Sequence, residues 1–202
     1  MERTKLGHAM KSQIIRPADY RVTTWRNGTG KTAEIAVEPG AGDRFVWRLS
    51  IAGVPESGPF SDYAGYQRII AVVEGPGMRL TEGNREPATL TAQTEPYAFS
   101  GDMSTVCDLL AGPIRDFNLI FDPALVRGSV TSIHLNGETH QSPLPGGTVL
   151  IYAANGDLSV ERPPIGQTRL PENTTLRIDG ASGRLSIDGP AGGRVLIVTI
   201  DR

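Results

Sequence analysis

The chain has 202 residues, of which 39% are hydrophobic and 21% charged, a composition that supports a folded core and excludes global disorder. Its formal net charge is −2 with no basic stripe, so we expect no nucleic-acid partner. The longest apolar runs are only a few residues, so we also expect no membrane partner.

Residues 1–12 carry scattered charges and no continuous apolar stretch, which predicts a flexible leader rather than a secretory signal. Cys107 is the single cysteine, which excludes an intrachain disulfide and fits a reducing compartment. We therefore predict a cytoplasmic protein and interpret Cys107 as a buried, unreactive thiol.

The segment Trp25–Thr32 imitates a nucleotide-binding P-loop, because it ends in Gly30-Lys31-Thr32. A P-loop also needs a glycine at the position that Trp25 occupies, and a helix after the loop whose free N–H groups bind phosphate. The following residues, Ala33–Val37, alternate in polarity and end at Pro39-Gly40, which predicts a strand. The sequence therefore excludes a P-loop ATPase.

Many short strands are predicted along the chain, because 24 glycines and 15 prolines recur at short intervals between apolar or β-branched runs. The main runs are Trp47–Ala52, Ile69–Val73, Val106–Leu110, Ile114–Phe121, Val130–Leu135, Thr148–Tyr152, Leu158–Glu161, Thr174–Ile178, Arg184–Ile187 and Val195–Ile200. Turn pairs such as Asn136-Gly137 tolerate the positive φ that tight hairpins require. The pattern predicts an all-β sandwich or barrel.

Several predicted strands carry polar side chains at alternating positions, which places them on one face. These are Glu34 within 32–37, Arg48 and Ser50 within 46–52, Arg68 just before 69–73, and Asp116 and Asn118 opposite Arg115 within 114–119. Facing into a barrel, they would hold a small polar ligand, and arginine suits a carboxylate because its planar group donates two parallel hydrogen bonds. A solvated sheet face gives the same alternation, and from periodicity alone we favour that interpretation.

No metal site or serine nucleophile is predicted. His8 lies in the leader, and His134 and His140 are interpreted as exposed residues flanking a hairpin, so the usual convergent histidine set is absent from the sequence. No G-x-S-x-G motif occurs. A metal-free isomerase or lyase that uses Glu34 or Asp116 as general base stays open, as does a structural or protein-interaction module.

An ordered set of motifs resembles the HutD/Ves family over about residues 20–121. They are Trp25-Arg26-Asn27-Gly28-Thr29-Gly30, Glu34-Ile35, Trp47–Ala52, Gly58–Ser61, Arg68, Glu74–Gly77, Gly101-Asp102 and Gly112–Asn118. The resemblance implies a bicupin, two packed β-barrel or jelly-roll halves without the usual cupin metal ligands. With the change of composition near 121–128, it predicts a first half at 13–120 and a second at 121–202, packed as one unit.

The resemblance also implies a non-catalytic regulatory role in histidine utilisation, with no cofactor and with a small carboxylate ligand such as N-formylglutamate. The predicted ligand-binding residues are Trp25, Arg26, Asn27, Glu34, Arg48, Ser50, Arg68, Arg115, Asp116 and Asn118. Arg48, with Arg68 or Arg115, is expected to pair with ligand carboxylates. Trp47 is either an apolar wall or core. The chain departs from the family pattern at Thr29, Ala33 and 121–123, where basic residues and a glycine are lost. Exposed sheet edges make a homodimer a further expectation.

Overall fold

A computed structural model describes residues 11–25, 28–163, 166–180 and 182–202 of the chain. These ranges contain 19 strands and one short 3₁₀ helix, Pro17–Asp19. The strands are β1 (Lys11–Ile15), β2 (Arg21–Thr24), β3 (Lys31–Pro39), β4 (Phe45–Val54), β5 (Gly58–Pro59), β6 (Gln67–Glu74), β7 (Met78–Glu82), β8 (Ala88–Leu90), β9 (Tyr97–Ser100), β10 (Thr105–Leu109), β11 (Ile114–Phe121), β12 (Arg127–His134), β13 (His140–Pro145), β14 (Thr148–Asn155), β15 (Leu158–Arg162), β16 (Gly166–Leu170), β17 (Thr175–Asp179), β18 (Ser182–Asp188) and β19 (Arg194–Asp201). The all-β prediction is confirmed. Within the described ranges, the only helical segment is three residues long, so they contain no helix of membrane-spanning length.

The chain divides into two compact units, each built from two antiparallel sheets. The first unit, the N-terminal barrel, spans Arg16–Ser132 and contains sheets of strand order β2-β3-β4-β11-β6-β9 and β5-β10-β7-β8. The second, the C-terminal barrel, combines β1 with Ile133–Asp201. Its sheets have the orders β1-β17-β14-β19-β12 and β13-β18-β15-β16, and the division between the units falls within β12.

The division differs from the predicted boundary between residues 120 and 121. Residues 122–126 stay with the N-terminal barrel, because the Asp122 backbone N–H donates to the Val46 carbonyl and Arg44 pairs with the Asp122 carboxylate at 3.1 Å. At the other end, Lys11–Ile15 pairs antiparallel with β17, so this strand belongs to the C-terminal barrel. The prediction of a leader to residue 12 is therefore wrong for its last two residues, and residues 1–10 lie outside the described ranges. Such long-range backbone pairing leaves no local sequence signal.

A compact apolar cluster lies inside each barrel. In the N-terminal barrel it joins side chains of both sheets, namely Val54, Ile70, Val72, Met78, Leu80, Leu90, Phe99, Cys107 and Ile114. The prediction that Cys107 is buried is confirmed, and its Sγ lies 3.4 Å from the Met78 Sδ. Burial, followed by the charges of Asp116 and Asp108, raises the pKa of the Cys107 thiol to about 12, so it stays protonated at neutral pH.

Candidate functional site

A polar cavity of about 560 Å³ lies in the N-terminal barrel. Its lining comes from β2 and the residue after it, from β3, β4, β6 and β11, and from β5 with the segment that follows it. The lining residues are Arg21, Thr23, Thr24, Trp25, Thr32, Glu34, Arg48, Ser50, Ala52, Val54, Pro59, Phe60, Ser61, Tyr63, Arg68, Asp116, Asn118 and Ile120. The size falls within the range typical of small-molecule sites.

Strand register arranges the cavity side chains in rows across the larger sheet. In the first row, Arg48 of β4 lies opposite Ile120 of β11, which lies opposite Arg68 of β6. In the next two rows, Asn118 lies opposite Ser50, and Asp116 lies opposite Ala52. Because side chains of alternate residues share a face, one sheet face carries two arginines at one end and two side-chain acceptors at the other.

Two guanidinium groups, one from the half-buried Arg48 and one from the buried Arg68, flank the ring of Tyr63. The Arg48 Nη2 donates to the Tyr63 Oη at 2.6 Å, and the Arg68 Nη1 donates to the Ser61 carbonyl at 3.2 Å. Their guanidinium carbons lie 5.1 Å and 5.2 Å from the centre of the Tyr63 ring, a cation–π geometry. The Nε atoms of both arginines are buried, and neither has a hydrogen-bond partner among the described residues.

Burial also changes the electrostatics of Arg68, whose side chain is only 5% exposed. Desolvation lowers its pKa to about 10, although the nearby Asp116 opposes this change. The guanidinium therefore remains protonated at neutral pH. It carries a positive charge with an unused donor in a partly closed space, and this is the arrangement that binds an anion.

A carboxyl and a carboxamide occupy the two neighbouring rows of the same sheet face. Asp116 is 1% exposed and Asn118 is 6% exposed. Desolvation raises the pKa of Asp116 to about 7, against the lowering effects of the Arg68 charge and of a hydrogen bond from the Asn118 side chain. The Oδ1 atoms of both residues are buried without a donor in the part of the chain that the structure describes.

Trp25 forms one wall of the cavity, and the glycine-rich segment after it explains its position. The Trp25 backbone N–H donates to the Gly30 carbonyl at 2.9 Å, which closes the hairpin between β2 and β3. Its indole Nε1 donates to the Thr32 Oγ1 at 2.8 Å. A Cβ atom at Gly30 would lie 2.6 Å from the Trp25 ring, so only glycine allows the indole to lie there. The residues that follow, Ala33–Val37, lie within β3, so the predicted strand is confirmed.

A second close approach positions Tyr63. A Cβ atom at Gly101 would overlap the Tyr63 carbonyl oxygen, while the Tyr63 backbone N–H donates to the Gly101 carbonyl at 3.0 Å. The neighbouring Asp102 Oδ1 accepts from the Gly65 backbone N–H at 2.7 Å. The Gly101-Asp102 motif therefore anchors the segment that carries Tyr63 between the two arginines.

Most of the predicted site residues meet in this cavity. Those that line it are Trp25, Glu34, Arg48, Ser50, Arg68, Asp116 and Asn118. Arg26 and Asn27 lie outside the described residues. The solvated-face interpretation is wrong, since the face bearing Arg48 and Ser50 lines a cavity and the opposite face, with Trp47 only 3% exposed, is buried too.

Two predicted members of the site lie elsewhere. Arg115 does not line the cavity, because alternation along β11 turns it away from Asp116, and its Nη1 pairs with the Glu74 Oε2 at 3.0 Å. Trp47 is a core residue rather than a cavity wall, on the same face of β4 as the buried Leu49 and Ile51.

Sequence reasoning missed Tyr63 and the cavity-facing residues of β2. The four residues of β2 are all exposed and too polar to predict a strand, so Arg21 and Thr23 gave no signal. The pairing of β2 with β3 identifies both residues as neighbours of the site, because Arg21 lies opposite Glu34 and Thr23 lies opposite Thr32. Tyr63 lies between β5 and β6, where the alternation of side chains along a strand predicts nothing. In the described ranges no three His, Cys, Asp or Glu side chains form a group that could hold a metal.

Comparisons with known proteins place this chain in a family. The family model described as HutD matches residues 17–197. An uncharacterized 21.2 kDa protein in the hutC 3' region of Pseudomonas putida is 40% identical over 177 residues, which cover 87% of this chain and 91% of that protein.

Solved structures agree with this match. A conserved protein of unknown function from Pseudomonas aeruginosa PAO1 is 38% identical with a TM-score of 0.85, and HutD from Pseudomonas fluorescens SBW25 (formate condition) is 36% identical with a TM-score of 0.79. Each comparison covers 95% of this chain and 100% of the other. Pirin YhhW from Escherichia coli, in complex with nickel(II), shares only the cupin fold, at 10% identity, a TM-score of 0.63 and coverage of 93% of this chain and 98% of that one. The bicupin prediction is therefore confirmed, and the chain belongs to the HutD family, which is linked to histidine utilisation.

Proposed function

We propose that the polar cavity binds a small carboxylate metabolite of amino-acid catabolism, such as N-formylglutamate, and that the protein senses or modulates histidine utilisation without catalysing a reaction. The observation that carries this proposal is the pair of guanidinium groups of Arg48 and Arg68, whose buried Nε atoms have no partner among the described residues. Buried donors in native proteins are nearly always paired, so unused donors beside a cavity indicate a ligand acceptor.

The charges around the cavity support an anionic ligand. Arg48 and Arg68 come from strands on either side of β11, and both side chains contact the ring of Tyr63. Because the Tyr63 ring separates the two positive charges, both guanidinium groups stay available to bind one ligand carboxylate or two. A ligand anion would offset their desolvation, because ion pairs in a buried site strengthen as water is excluded.

Calorimetric titration and thermal unfolding with N-formylglutamate test this function. A ligand at a hundred times its Kd stabilises the folded state by about 2.7 kcal/mol, which a thermal shift detects readily. Replacement of either cavity arginine in Arg48→Met or Arg68→Met should weaken binding by about 100-fold, because a charge-assisted hydrogen bond and an ion pair are both lost.

Arg115→Met is the matched control, because Arg115 lies on β11 but pairs with Glu74 outside the cavity. We expect this variant to bind as the wild type does. Failure of the wild type to bind N-formylglutamate or related small carboxylates would refute the proposed function. If Arg48→Met and Arg115→Met lose the same ligand affinity, the cavity is not the binding site.

A second candidate function is a metal-free isomerase or lyase, and the environment of Asp116 favours it. A buried carboxyl with a pKa of about 7 in a cavity is suited to accept a substrate proton near neutral pH. Glu34 also lines the cavity and is the alternative base. NMR of N-formylglutamate incubated with the protein tests the enzyme hypothesis. If the hypothesis holds, the wild type shows turnover, and Asp116→Asn or Glu34→Gln abolishes turnover while ligand binding persists. No turnover with intact binding supports the sensor.

A further inference from the structure

A buried arginine of the C-terminal barrel faces the interior of that barrel. Arg162 is the last residue of β15, where alternation places it on the same face as Leu158 and Val160, two members of the internal apolar cluster. The residue is only 6% exposed. Because a guanidinium group is permanently charged, this barrel holds a cation beside a cluster of aliphatic side chains.

The hydrogen bonds of this guanidinium group are incomplete. The Arg162 Nη2 donates to the Ser182 carbonyl at 2.8 Å, whereas the buried Nε and Nη1 atoms have no hydrogen-bond partner among the described residues. No described Asp or Glu forms an ion pair with Arg162, while the exposed Arg169 of the same barrel pairs with Asp157 at 2.8 Å. Buried charges in native proteins are normally paired, because an unpaired charge loses its hydration without compensation. Arg162 thus lacks a counter-charge within the described part of the chain.

The cross-strand row through Arg162 contains no acidic side chain. Gly166 of β16 lies directly opposite Arg162. On the other side, the register of β15 with β18 continues to Leu185 opposite Arg162, and Leu185 in turn lies opposite Ser142 of β13. Ser142 is 7% exposed, and its hydroxyl donates to the carbonyl of the next residue only at 3.5 Å, which is long for a hydrogen bond. The row therefore offers a guanidinium group and a hydroxyl, both of which can donate to an anion.

Two glycines leave open space beside the guanidinium group. Gly183 directly follows Ser182, whose carbonyl accepts from Arg162, and Gly166 is the cross-strand neighbour of Arg162. A Cβ atom at either glycine would meet no described residue beyond its chain neighbours within 4 Å, and both glycines are exposed. A rotation of the arginine side chain would bring its unused donors to a ligand that enters over these glycines.

We propose that Arg162 forms a second binding site, which takes a small oxyanion at this end of the C-terminal barrel. The positive charge and the absence of acidic neighbours in its row select an anion. The planar guanidinium group selects an anion with two or more oxygens on one centre, the chemistry that carboxylates and inorganic phosphate share. Only a small anion fits, because the inner neighbours of Arg162 on β15 are Val160 and Leu158, each 2% exposed. The site goes beyond the proposed function, since no residue of the C-terminal barrel lines the polar cavity.

Backbone amide NMR of the isotope-labelled protein tests this site through two local probes. The amide signals of Gly166 and Gly183 are followed during titration with sodium acetate and, separately, with sodium phosphate, each against sodium chloride at equal ionic strength. We expect saturable shifts of both signals, with at least about 10-fold higher affinity for acetate or phosphate than for chloride, because only the oxyanions match the guanidinium geometry. Saturation by acetate alone identifies a carboxylate ligand, saturation by phosphate alone identifies a phosphate ligand, and either result supports the site.

Two substitutions of Arg162 assign the shifts to its side chain. Arg162→Met removes the charge and the donors, so the affinity should fall by about 10-fold or more. Arg162→Lys keeps the charge and loses the planar set of donors, so the affinity should fall by about 3- to 10-fold. Arg169→Met is the matched control, because Arg169 is an exposed arginine of the same barrel that pairs with Asp157. We expect this variant, and Arg48→Met in the polar cavity, to keep the wild-type affinity at Gly166 and Gly183.

Thermal unfolding separates a ligand site from a purely structural role of Arg162. In low-salt buffer without added oxyanion, Arg162→Met should unfold at the wild-type temperature or above it, because an apolar side chain replaces a buried, unpaired charge. Added acetate or phosphate should then raise the unfolding temperature of the wild type more than that of the variant. A structural role of the bond to Ser182 predicts instead that Arg162→Met unfolds at a lower temperature by the same amount in both buffers, and that result would overturn the site. If Arg162→Met does not fold, the titration of Arg162→Lys decides.

Three results of the titrations would also overturn the proposal. Shifts at Gly166 and Gly183 that are no larger with the oxyanions than with chloride would be a general effect of salt. Shifts that persist unchanged in both Arg162 variants would place the anion elsewhere. Shifts that Arg48→Met abolishes would assign the anion to the polar cavity. None of these results alters the proposed function, which is tested by N-formylglutamate binding in the N-terminal barrel.

Discussion

The interiors of the two barrels differ, although both are built from the same kind of strands. In the N-terminal barrel, inward positions of β4, β6 and β11 include Arg48, Arg68, Asp116 and Asn118, which line a cavity. In the C-terminal barrel, the internal cluster consists of 14 apolar residues. These are Leu135, Leu144, Val149, Ile151, Ala153, Leu158, Val160, Leu170, Leu176, Ile178, Leu185, Ile187, Val195 and Ile197.

This difference shows that one architecture can enclose two kinds of interior. Apolar side chains that fill a barrel stabilise it through burial and close packing. Charged side chains at such positions lose hydration and leave donors and acceptors unpaired, which reduces stability unless a ligand completes them. The polar side chains of the N-terminal barrel line a cavity, whereas the internal cluster of the C-terminal barrel is apolar.

A matched pair of isoleucines provides the strongest test of the comparison. Ile151 in the C-terminal barrel is fully buried among apolar residues, and Ile120 is 1% exposed but lines the cavity. Ile151→Asn should destabilise the protein by about 5 kcal/mol, because it combines a lost core side chain with an unpaired amide. Ile120→Asn should cost about 2 kcal/mol or less, since its amide faces polar groups. If both variants lose the same free energy of unfolding in urea, the proposed difference between the two barrel interiors is contradicted.

The second prediction concerns pH and Asp116. The pKa of Asp116 rises from its ordinary value of 3.8 to about 7 in the folded protein, so between these values the folded state binds a proton that the unfolded state has released. This contribution to stability is complete below about pH 4 and is lost as the pH rises through 7. Between pH 4.5 and pH 8, wild type should lose about 3 kcal/mol relative to Asp116→Asn. If the free energy of unfolding in urea depends on pH in the same way for both proteins, Asp116 is not neutral in the folded state.

The third prediction concerns the support of Tyr63. Gly101→Ala places a methyl group against the Tyr63 carbonyl, which must move. We expect a loss of about 1–3 kcal/mol in thermal unfolding, together with weaker ligand binding, because the ring between the arginines is displaced. Gly58→Ala is the control, since a Cβ atom there would meet no atom within 4 Å. Unchanged ligand binding in a folded Gly101→Ala protein would mean that Tyr63 does not organise the site.

The smallest effect is expected at Arg115. Its ion pair with Glu74 involves side chains that are 39% and 66% exposed, so solvent screens it. Arg115→Met should change the free energy of unfolding by about 0.5 kcal/mol or less. A loss comparable to that of Ile120→Asn would show that the outer face of β11 carries more of the stability than its exposure indicates.

Much of the fold could be predicted because the central strands are long runs rich in apolar and β-branched residues. The run Ile114–Phe121 coincides with β11, and the run Trp47–Ala52 lies within β4. The edges of the sheets could not be predicted in the same way. Strand β5 has two residues and β2 is fully exposed, so neither contains enough alternation to identify it. Their pairing is decided by partners far along the chain.

The candidate site was predicted less completely, and the misses have two causes. Arg115 was included because arginine suits a carboxylate, yet alternation along β11 sends it to the face opposite Asp116. Tyr63 was missed because it lies outside the strands, where Gly101 and Asp102 hold it through contacts remote in sequence.

The sequence by itself determined that strands would form, where the central ones lie and which residues share a face, because these properties follow from local conformational preference and a repeat of two residues. Only the tertiary structure decided which face encloses a cavity. It also decided that β1 joins the C-terminal barrel and that Arg48, Arg68, Asp116 and Asn118 surround one space. The physical reason is that burial and strand pairing depend on partners distant in the chain, and local periodicity is the same for a strand facing solvent or a cavity.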